Sequence, residues 1–310
     1  MFNNKIMTKG PRIICVTGGK GGTGKTFVAV NLTIMLKNHG FRILLVDGDV
    51  ENPNTYLLLN ADLQLFKEFP YFIPKIDENK CSKCGICAKN CSTNALLYIK
   101  DSVPIPMINL CSGCKLCYKI CPEHAVEEDS KILGKIYALS AKNIDLLVGE
   151  LTTSEARSAA LVKGLLFEVN DRIESEANTY DFIIIDTAPG AHCDVEELIN
   201  YADFVIPVTE PTKFGQLDLL RIIELITLLQ KEYKVIINRS TLPGYREEFF
   251  KELSKKGIEI IGDIPLDEDI VQSYCNQIPF METDKYSKNS AYQAFNDIYS
   301  NLMAWVAEIK

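Results

Sequence analysis

Runs of consecutive apolar residues recur along most of this chain, separated by stretches in which apolar residues lie three and four positions apart. Uninterrupted apolar runs are typical of strands buried on both faces of a parallel sheet, and the spacing of three and four is typical of helices. The runs predict a strand before residue 18 and further strands at 41–50, 144–149, 181–190, 203–211, 233–238 and 258–265. The helical spacing predicts a first helix that ends near Gly40 and later helices at 155–177, 213–231, 245–256 and 290–309.

Strands that alternate with helices predict an α/β fold with a doubly wound, mostly parallel sheet. The helix at 290–309 resembles an amphipathic membrane anchor in length. Such anchors carry Lys and Arg on their polar face, whereas Lys310 is the only basic residue in the stretch 290–310. We therefore expect it to pack against the sheet.

The alternation is interrupted at 75–130, where one cysteine pattern occurs twice with an offset of 30 residues. Prolines before and between the copies predict loop-rich connections: Pro70, Pro74, Pro104 and Pro106. We interpret this region as an inserted module. The sequence thus predicts a first part of the sheet domain at 1–74, the module at 75–130 and the second part of the sheet domain at 131–310.

The composition is that of a globular chain, with 47% hydrophobic and 24% charged residues among 310. The net charge of −8, without a visible Lys/Arg stripe, disfavours nucleic acid as a partner. No apolar run approaches the ~18 residues of a membrane span, and the first residues lack the apolar core of a secretory signal. We expect a cytoplasmic protein without a membrane partner.

The stretch "GGKGGTGKT" at 18–26 contains a complete Walker A pattern between a strand and a helix. Glycines in such a loop turn backbone N–H groups toward phosphate oxygens at the start of the helix. Lys25 is expected to reach the β- and γ-phosphates, and the Thr26 hydroxyl to bind Mg²⁺. The remaining nucleotide-binding residues predicted in the loop are Gly19, Gly21, Gly22, Thr23, Gly24 and Phe27.

The loop holds a second lysine, Lys20, that the Walker A pattern does not need. Lys20-Gly-Gly-Thr-Gly-Lys25-Thr26 resembles the deviant Walker A motif of the MinD/ParA-type ATPases. That resemblance implies a homodimer with nucleotide at its interface, in which Lys20 crosses to the partner's nucleotide as an arginine finger does. The alternative for Lys20 is a solvated surface lysine.

Two further stretches resemble the switches of that family. In "VDGDVENPN", Asp49 is expected to orient or deprotonate the attacking water and to contribute to the Mg²⁺ site. In "IIIDTAPG", Asp186 is expected to hold Mg²⁺ through water, and Gly190 to sense the γ-phosphate. The catalytic residues implied are therefore Lys20, Lys25, Asp49 and Asp186.

The choice of base is predicted from a late strand that ends in "IINRST". Guanine-specific relatives present Asn-Lys-x-Asp there, but this chain has Asn238 and, in place of the Asp, Thr241. This favours ATP. By resemblance, Asn238 and the stretch around Pro265 would line the adenine.

Eight of the 11 cysteines lie between residues 81 and 121, and in a reducing compartment such clustering indicates metal ligation. Both copies have the Cys-x2-Cys-x2-Cys-x3-Cys run of bacterial ferredoxins, whose fourth cysteine binds the other cluster. The run implies two 4Fe–4S clusters, one on Cys81, Cys84, Cys87 and Cys121, the other on Cys111, Cys114, Cys117 and Cys91. The alternative is two structural zinc ions. Pro122 follows the last cysteine as in ferredoxins, whereas Ser92 follows Cys91.

The other cysteines are less informative. Cys193, three residues past Gly190, either faces a dimer axis and accepts a metal or is a partly buried ordinary thiol. Cys15 is expected in the core. Cys275 has no Cys-x-x-Cys partner, so it does not support a bridging cluster.

The whole chain thus resembles a MinD/ParA-type P-loop ATPase that carries an inserted ferredoxin domain. The function implied is an ATP-hydrolysing switch that gates electron transfer, or metal or cluster delivery, to a partner metalloprotein or cluster acceptor. One alternative is a ferredoxin-type electron carrier in which the nucleotide is structural. Another is a MinD/ParA-type spatial regulator.

Overall fold

A computed structural model describes residues 10–175 and 180–308. The chain divides into two compact units. The sheet unit takes in the chain up to Phe66, residues 136–150 and the chain from Ser158 onward. The cysteine unit takes in residues 67–135 and 151–157. The module predicted at 75–130 lies within the cysteine unit.

Strands and helices alternate through the sheet unit, and short elements follow one another in the cysteine unit. The strands are β1 (Arg12–Thr17), β2 (Ile43–Gly48), β3 (Leu65–Ile76), β4 (Leu96–Leu97), β5 (Ile105–Pro106), β6 (Val126–Ala141), β7 (Ile144–Leu151), β8 (Phe182–Thr187), β9 (Phe204–Thr209), β10 (Glu232–Tyr233), β11 (Val235–Ile237) and β12 (Ile260–Asp263). The helices are α1 (Lys25–Asn38), α2 (Thr55–Leu58), α3 (Ile86–Lys89), α4 (Leu116–Ile120), α5 (Ser158–Glu174), α6 (Cys193–Tyr201), α7 (Lys213–Leu228), α8 (Arg246–Lys255), α9 (Glu268–Cys275) and α10 (Ser290–Glu308). Short 3-10 helices cover Ile108–Leu110, Phe280–Glu282 and Asp284–Tyr286.

The main sheet has the strand order β12-β11-β9-β1-β8-β2-β7-β6-β3, with β10 paired to β9. Pairing is parallel from β12 through to β7. Between β6 and β7 the chain turns through Lys142 and Asn143, both in the left-handed conformation (φ 54° and 62°) of a two-residue hairpin turn, which joins antiparallel strands. The prediction of an α/β fold with a mostly parallel sheet is confirmed.

One expectation about the connections of the inserted module is wrong. Pro70 and Pro74 predicted a loop-rich connection, but both lie inside the 12-residue strand β3. This strand is the last in the sheet order. An edge strand tolerates proline because the missing N–H can face away from the neighbouring strand.

The C-terminal helix packs as predicted. Its buried residues follow the spacing of three and four that places side chains on one face of a helix: Ala291, Phe295, Ile298, Leu302, Trp305 and Val306. Residue 309 and Lys310, and residues 176 and 177 of the helix predicted at 155–177, lie outside the described residues. Within residues 10–175 and 180–308, no helix is long and apolar enough to cross a membrane.

The cysteine unit repeats its backbone conformation at the same offset of 30 residues as its sequence. Pairs of left-handed residues occupy equivalent positions of the two copies: Lys83 and Gly113, Gly85 and Lys115, Asn94 and His124. Two hydrogen bonds are reciprocal between the copies: the Asp77 N–H donates to the Ala125 carbonyl (2.8 Å) and the Met107 N–H to the Ala95 carbonyl (2.7 Å). The two halves are therefore structural equivalents.

Candidate functional site

The phosphate loop connects β1 to α1, and its backbone conformation depends on glycine. Gly24 has a φ of 93° and directly precedes Lys25, the first residue of α1. The Asn238 side chain fills the space into which a Cβ at Gly24 would project. A Cβ at Gly18 would lie 2.6 Å from the Val208 carbonyl oxygen. This tight turn at the start of a 14-residue helix is the arrangement that binds phosphate.

Lys25 is buried beneath the loop. Its ammonium group donates to the carbonyl of Lys20 across 3.1 Å. Burial lowers the pKa of Lys25, while the nearby carboxylates of Asp186 and Asp49 act in the opposite direction. The lysine is therefore held at the loop with two acidic side chains close by, as a phosphate–metal site requires.

Asp186 is the penultimate residue of β8, which lies between β1 and β2, and is in register with Val16 and with Asp47. Both carboxylate oxygens are buried and have no hydrogen-bond partner among the described residues. The Thr26 hydroxyl comes near enough to lower the pKa in part, but burial and Asp47 raise it well above its usual value. A buried carboxylate without a donor fits a cation, and Thr26, Asp49 and Asp186 are the residues that would hold Mg²⁺ here.

Asp47 is a buried carboxylate near the site that the sequence reasoning missed. Its side chain is fully buried at the end of β2, and one oxygen accepts the N–H groups of Asn54 (2.9 Å) and Thr55 (2.9 Å) and the Thr55 hydroxyl (2.8 Å). The other oxygen accepts the N–H of Asp49 (3.2 Å). Burial raises the pKa of Asp47 to about 6. Asp47 thus ties the segment that carries Asp49 to the end of the strand; its place two residues before Asp49 was the available signal.

Asp49 itself lines the nucleotide cleft and is partly buried. Burial raises its pKa, and the N–H that Asn52 donates to its carboxylate (3.2 Å) opposes that shift. A carboxylate with a raised pKa, facing a phosphate loop, is suited to accept a proton from water.

Lys20 forms an ion pair within its own chain. Its ammonium lies 2.7 Å from Glu210, which follows β9, and Glu210 also accepts from Arg239 at 2.9 Å. Arg239 donates in addition to the carbonyl of Gly22 (2.9 Å). Burial would raise the pKa of Glu210, but the hydrogen bonds from Lys20 and Arg239 outweigh it and lower the pKa. Glu210 and Arg239 were missed by the sequence reasoning, because neither belongs to a local motif.

A cleft of about 430 Å³ opens beside the loop. The predicted residues that line it are Gly21, Gly22, Gly24, Lys25, Thr26, Phe27, Asp49, Asn238 and Pro265. The Asn238 amide donates to the Thr23 carbonyl across 2.8 Å, so it also braces the loop. Ile270, Val271 and Tyr274 of α9 add an apolar wall that the sequence reasoning missed.

The predicted residues Gly19, Thr23 and Gly190 do not line the cleft. The Gly190 N–H donates to the Gly18 carbonyl (3.1 Å), and its φ of 97° requires glycine. The second predicted switch therefore contacts the phosphate loop directly.

The remaining cysteines differ in exposure. Cys15 is buried in β1, as predicted. Cys193 begins α6 and is exposed, so the expectation of a partly buried thiol is wrong; the helix turns its first residue outward. Cys275 is also exposed.

In the cysteine unit, eight thiols surround two separate pockets. One pocket is lined by Cys81, Cys84, Cys87 and Cys121, and the other by Cys91, Cys111, Cys114 and Cys117. Burial raises the pKa of Cys117 to about 11, and the neighbouring thiols of Cys111 and Cys114 add to the shift. Across the described residues, no three His, Cys, Asp or Glu side chains converge closely enough to share a single metal ion.

Backbone N–H groups point at equivalent sulfur atoms in the two pockets. The Ala95 N–H lies 3.2 Å from the Cys91 sulfur, and the Ala125 N–H lies 3.3 Å from the Cys121 sulfur. Such donors stabilise thiolates and are one determinant of cluster potential. The crossing cysteine of each copy is therefore held in the same way.

Most of the chain resembles a known family of nucleotide-binding domains. The CobQ/CobB/MinD/ParA nucleotide binding domain matches residues 14–280, most of the chain. The chain belongs to this family. As a MinD/ParA-type member with an intact phosphate loop, it is a P-loop ATPase.

Individual relatives extend over nearly the whole chain. An uncharacterized protein of Methanocaldococcus jannaschii is 34% identical over 272 residues, 87% of this chain and 91% of its own. The iron-sulfur cluster carrier protein of Pyrococcus abyssi is 23% identical over 310 residues, 96% of this chain and 87% of its own. The solved structure of the septum site-determining protein MinD of Pyrococcus horikoshii, complexed with Mg-ADP, aligns with a TM-score of 0.56 at 20% identity and covers 94% of this chain and 96% of its own. This last likeness shows the family fold.

Proposed function

We propose that this ATPase is a dimeric switch that gates electron transfer from two 4Fe–4S clusters to a partner metalloprotein. The observation that carries the proposal is the grouping of eight cysteines into two pockets of four, in a chain whose sheet unit is a P-loop ATPase. Each pocket combines three cysteines of one copy with the fourth cysteine of the other.

The residues present fit the cluster. Zinc draws four ligands onto one ion, usually as two cysteine pairs, whereas a cubane takes each thiolate on a different iron and suits triplets spaced by two residues. Here the thiols line the walls of a pocket, and backbone N–H groups of Ala95 and Ala125 reach the sulfurs of the crossing cysteines. A 4Fe–4S cluster bound in each pocket would supply one-electron chemistry.

The proposed hydrolytic step uses residues of the sheet unit. The loop N–H groups and Lys25 bind the phosphates of ATP. Thr26, Asp49 and Asp186 would hold Mg²⁺, which would supply positive charge at the phosphates. Asp49 orients a water molecule and accepts its proton as the water oxygen bonds to the γ-phosphorus. The bond from the γ-phosphorus to the bridging oxygen breaks, and ADP and phosphate are released.

The proposed dimer explains the extra lysine. Within one chain, Lys20 is engaged by Glu210. In the dimer, Lys20 of the partner subunit would leave Glu210 and meet the charge that develops on the transferring phosphoryl group. Hydrolysis would then depend on assembly of two chains.

The gating is tested by the reduction potentials of the clusters in the presence of ADP or of a non-hydrolysable ATP analogue. Anaerobically purified protein is titrated with dithionite and followed by electron paramagnetic resonance. We expect at least one potential to differ between the two nucleotides, and the difference to vanish in Lys25→Ala, which lacks the phosphate contact. Superimposable titrations of the wild-type protein in both nucleotides would contradict gating.

A second candidate function is delivery of an iron–sulfur cluster to an acceptor protein. The name of the Pyrococcus abyssi relative, an iron-sulfur cluster carrier protein, favours it. Complete sets of four cysteines favour resident clusters instead. Protein loaded with ⁵⁷Fe and incubated with an apo-ferredoxin and ATP separates the two functions: iron stays on this chain if the clusters carry electrons, and moves in an ATP-dependent manner if they are cargo.

A further inference from the structure

The segment between β7 and α5 belongs to the cysteine unit, although both of these elements lie mainly in the sheet unit. Residues 151–157 are the part of the chain concerned. At its start, the Thr152 N–H donates to the Leu133 carbonyl (2.9 Å) and the Thr152 hydroxyl to the Ile132 carbonyl (3.3 Å). The segment is thus fastened to the cysteine-unit part of β6.

At the end of this segment, Arg157 contacts the loop that carries the second cysteine triplet. Its guanidinium donates to the carbonyl of Cys111 (3.2 Å) and, at greater length, to that of Ile108 (3.4 Å). The guanidinium carbon also lies 4.6 Å from the centre of the Tyr71 ring. The same ring packs under Gly113, where a Cβ would lie 2.5 Å from a ring carbon. Arg157 and Tyr71 therefore support the Cys111 to Cys114 loop together.

The guanidinium is locked in this position. Its side chain is 13% exposed and pairs with Glu155, which is 6% exposed and accepts from the Nε and NH2 groups of Arg157. Lys131 lies 3.3 Å from the same carboxylate. The hydrogen bonds from Arg157 lower the pKa of Glu155 to about 2, so both partners stay charged at neutral pH.

The equivalent loop of the first copy is held differently. There the neighbouring Lys80 pairs with Asp77 and Glu127, both at 3.0 Å, and Lys80 is half exposed. Tyr98 packs under Gly85 and its hydroxyl donates to the Lys83 carbonyl (2.7 Å). The buried Arg157–Glu155 pair thus distinguishes the second pocket from the first in an otherwise repeated structure.

We infer that Arg157 is a positioning residue for the second cluster, which fixes its Cys111–Cys114 loop and raises its reduction potential relative to that of the first. This inference rests on the proposed function, since it assumes that both pockets hold clusters. It concerns the difference in reduction potential between the two clusters, about which the gating proposal makes no statement.

The sign follows from electrostatics. One-electron reduction adds a negative charge to the cluster, so a nearby cation stabilises the reduced form and a nearby anion destabilises it. In a largely buried site these effects are weakly screened. Removal of Arg157 leaves Glu155 with Lys131, at 3.3 Å, in place of its close guanidinium partner, whereas neutralisation of Glu155 leaves the Arg157 cation.

The experiment uses the full chain with three variants. Arg157→Met removes the charge and the donors but keeps much of the apolar stem, Arg157→Lys keeps the charge, and Glu155→Gln reverses the sign of the change. Iron and sulfide are counted first, and dithionite titrations are then followed by electron paramagnetic resonance. Cys114→Ser, which removes a ligand of the second pocket, identifies the signal of the first cluster.

We expect Arg157→Met to reduce the equilibrium constant for reduction of the second cluster about tenfold, which is about 59 mV for a one-electron couple. Glu155→Gln is expected to raise the equilibrium constant for reduction of the second cluster, and Arg157→Lys to keep it close to the wild-type value. The reduction potential of the first cluster should be unchanged in all three variants. In the Cys114→Ser background, Arg157→Met should leave the remaining potential where it was.

Several outcomes would overturn the inference. With eight irons retained, an unchanged second potential in Arg157→Met, or equal shifts of both clusters, would do so and leave the proposed function standing. If Arg157→Met loses iron, Glu155→Gln decides: a raised second potential supports the inference and an unmoved one overturns it. A wild-type protein without iron and sulfide would overturn the proposed function and the inference with it.

Discussion

The phosphate loop and the cysteine pockets differ in what holds them in shape. The loop is anchored by β1 and by α1, a 14-residue helix with eleven buried residues, inside a large apolar core. The cysteine pockets are framed by two-residue strands and by helices of four and five residues. Cys84 and Cys114 are exposed. We infer that the nucleotide site forms without its ligand, whereas the shape of the pockets depends on the clusters proposed for them.

The physical reason is the amount of apolar surface that each region buries. In the sheet unit, core residues of several strands and helices form one cluster that surrounds the loop. In the cysteine unit the buried apolar side chains are far fewer: Phe72, Ile73, Ala95, Leu96, Ala125, Val126 and Leu133, besides buried cysteines. A region of this kind relies on metal ligation to fold.

Removal of iron should produce the largest difference between the phosphate loop and the cysteine pockets. Anaerobic protein should contain close to eight irons and eight sulfides. A chelator under reducing conditions should unfold the cysteine unit while ATP affinity stays within about twofold, because the phosphate loop is held by β1, α1 and the apolar core of the sheet unit. Proteolysis within residues 67–135 and ATP titration measure the two responses. Stoichiometric zinc without sulfide would remove the ferredoxin interpretation.

Single cysteine substitutions provide the matched control for that experiment. Cys114→Ser is expected to lose about half of the iron and to destabilise the cysteine unit. Cys275→Ser changes an exposed cysteine of the sheet unit and should retain all of the iron. Equal iron loss in both variants would mean that the pockets are not the metal sites.

The second prediction concerns Lys20, for which we propose a role at the nucleotide of the partner subunit. Lys20→Ala should still bind ATP, because Lys25 and the loop backbone remain, but its hydrolysis should fall by about 10³–10⁵-fold, as when an arginine finger is lost. Steady-state phosphate release measures the fall. Glu210→Gln, which removes the ion-pair partner of Lys20 within the chain, should retain most of the activity.

Mixing two inactive variants tests whether Lys20 acts in trans. Asp49→Ala is inactive for a reason within its own subunit. In a mixed dimer, the Lys20→Ala subunit keeps its own Asp49 and receives Lys20 of the partner subunit, so one site is complete. Random exchange makes half of the dimers mixed, and about a quarter of wild-type activity should return if the sites are independent. A mixture that exchanges subunits and stays inactive excludes action in trans.

The third prediction tests whether the phosphate loop already has its nucleotide-binding conformation in the absence of nucleotide. Gly24→Ala places a methyl group against the Asn238 side chain in a left-handed conformation, whereas a Cβ at Gly21 meets nothing within 4 Å. We expect Gly24→Ala to weaken ATP binding about tenfold or more, about 1.4 kcal/mol, and Gly21→Ala to change it little. Calorimetric titration of both variants checks this. Equal effects would mean that the loop rearranges when nucleotide binds.

The last prediction concerns the equivalent positions Lys83 and Gly113, where the effect is on stability alone. Both are left-handed, with φ of 59° and 68°, but the Tyr71 ring lies beneath Gly113. Gly113→Ala should destabilise the cysteine unit by about 1–2 kcal/mol, and Lys83→Gly should change its stability by less than about 1 kcal/mol. Denaturant unfolding of the iron-loaded protein measures both. Equal effects would indicate that the two loops are not packed differently.

Local motifs account for what could be predicted from the sequence. The strand before and the helix after the phosphate loop, the ends of β2 and β8, and the pairing of the cysteine triplets with the crossing cysteines all depend on spacing within short stretches. Glu210 and Arg157 were out of reach, because their partners Lys20 and Cys111 are 190 and 46 residues away. The first contact is set by the topology of the sheet. The second is set by the return of residues 151–157 to the cysteine unit.

The strand β3 shows a different limit. Its two prolines and mixed composition match the pattern of a loop, and its place at the edge of the sheet makes them acceptable. Whether a strand lies at an edge is a property of the finished sheet. The residue pattern of one stretch therefore cannot predict whether that stretch is an edge strand.

The return of residues 151–157 to the cysteine unit also limits how this protein can be taken apart. The chain crosses between the two units four times, at 66–67, 135–136, 150–151 and 157–158. A cassette of residues 67–135, grafted into another ATPase of the family, would leave Glu155 and Arg157 behind and deprive one pocket of its brace. Exchange of such modules between proteins, by engineering or by recombination, must therefore carry two separate pieces of sequence.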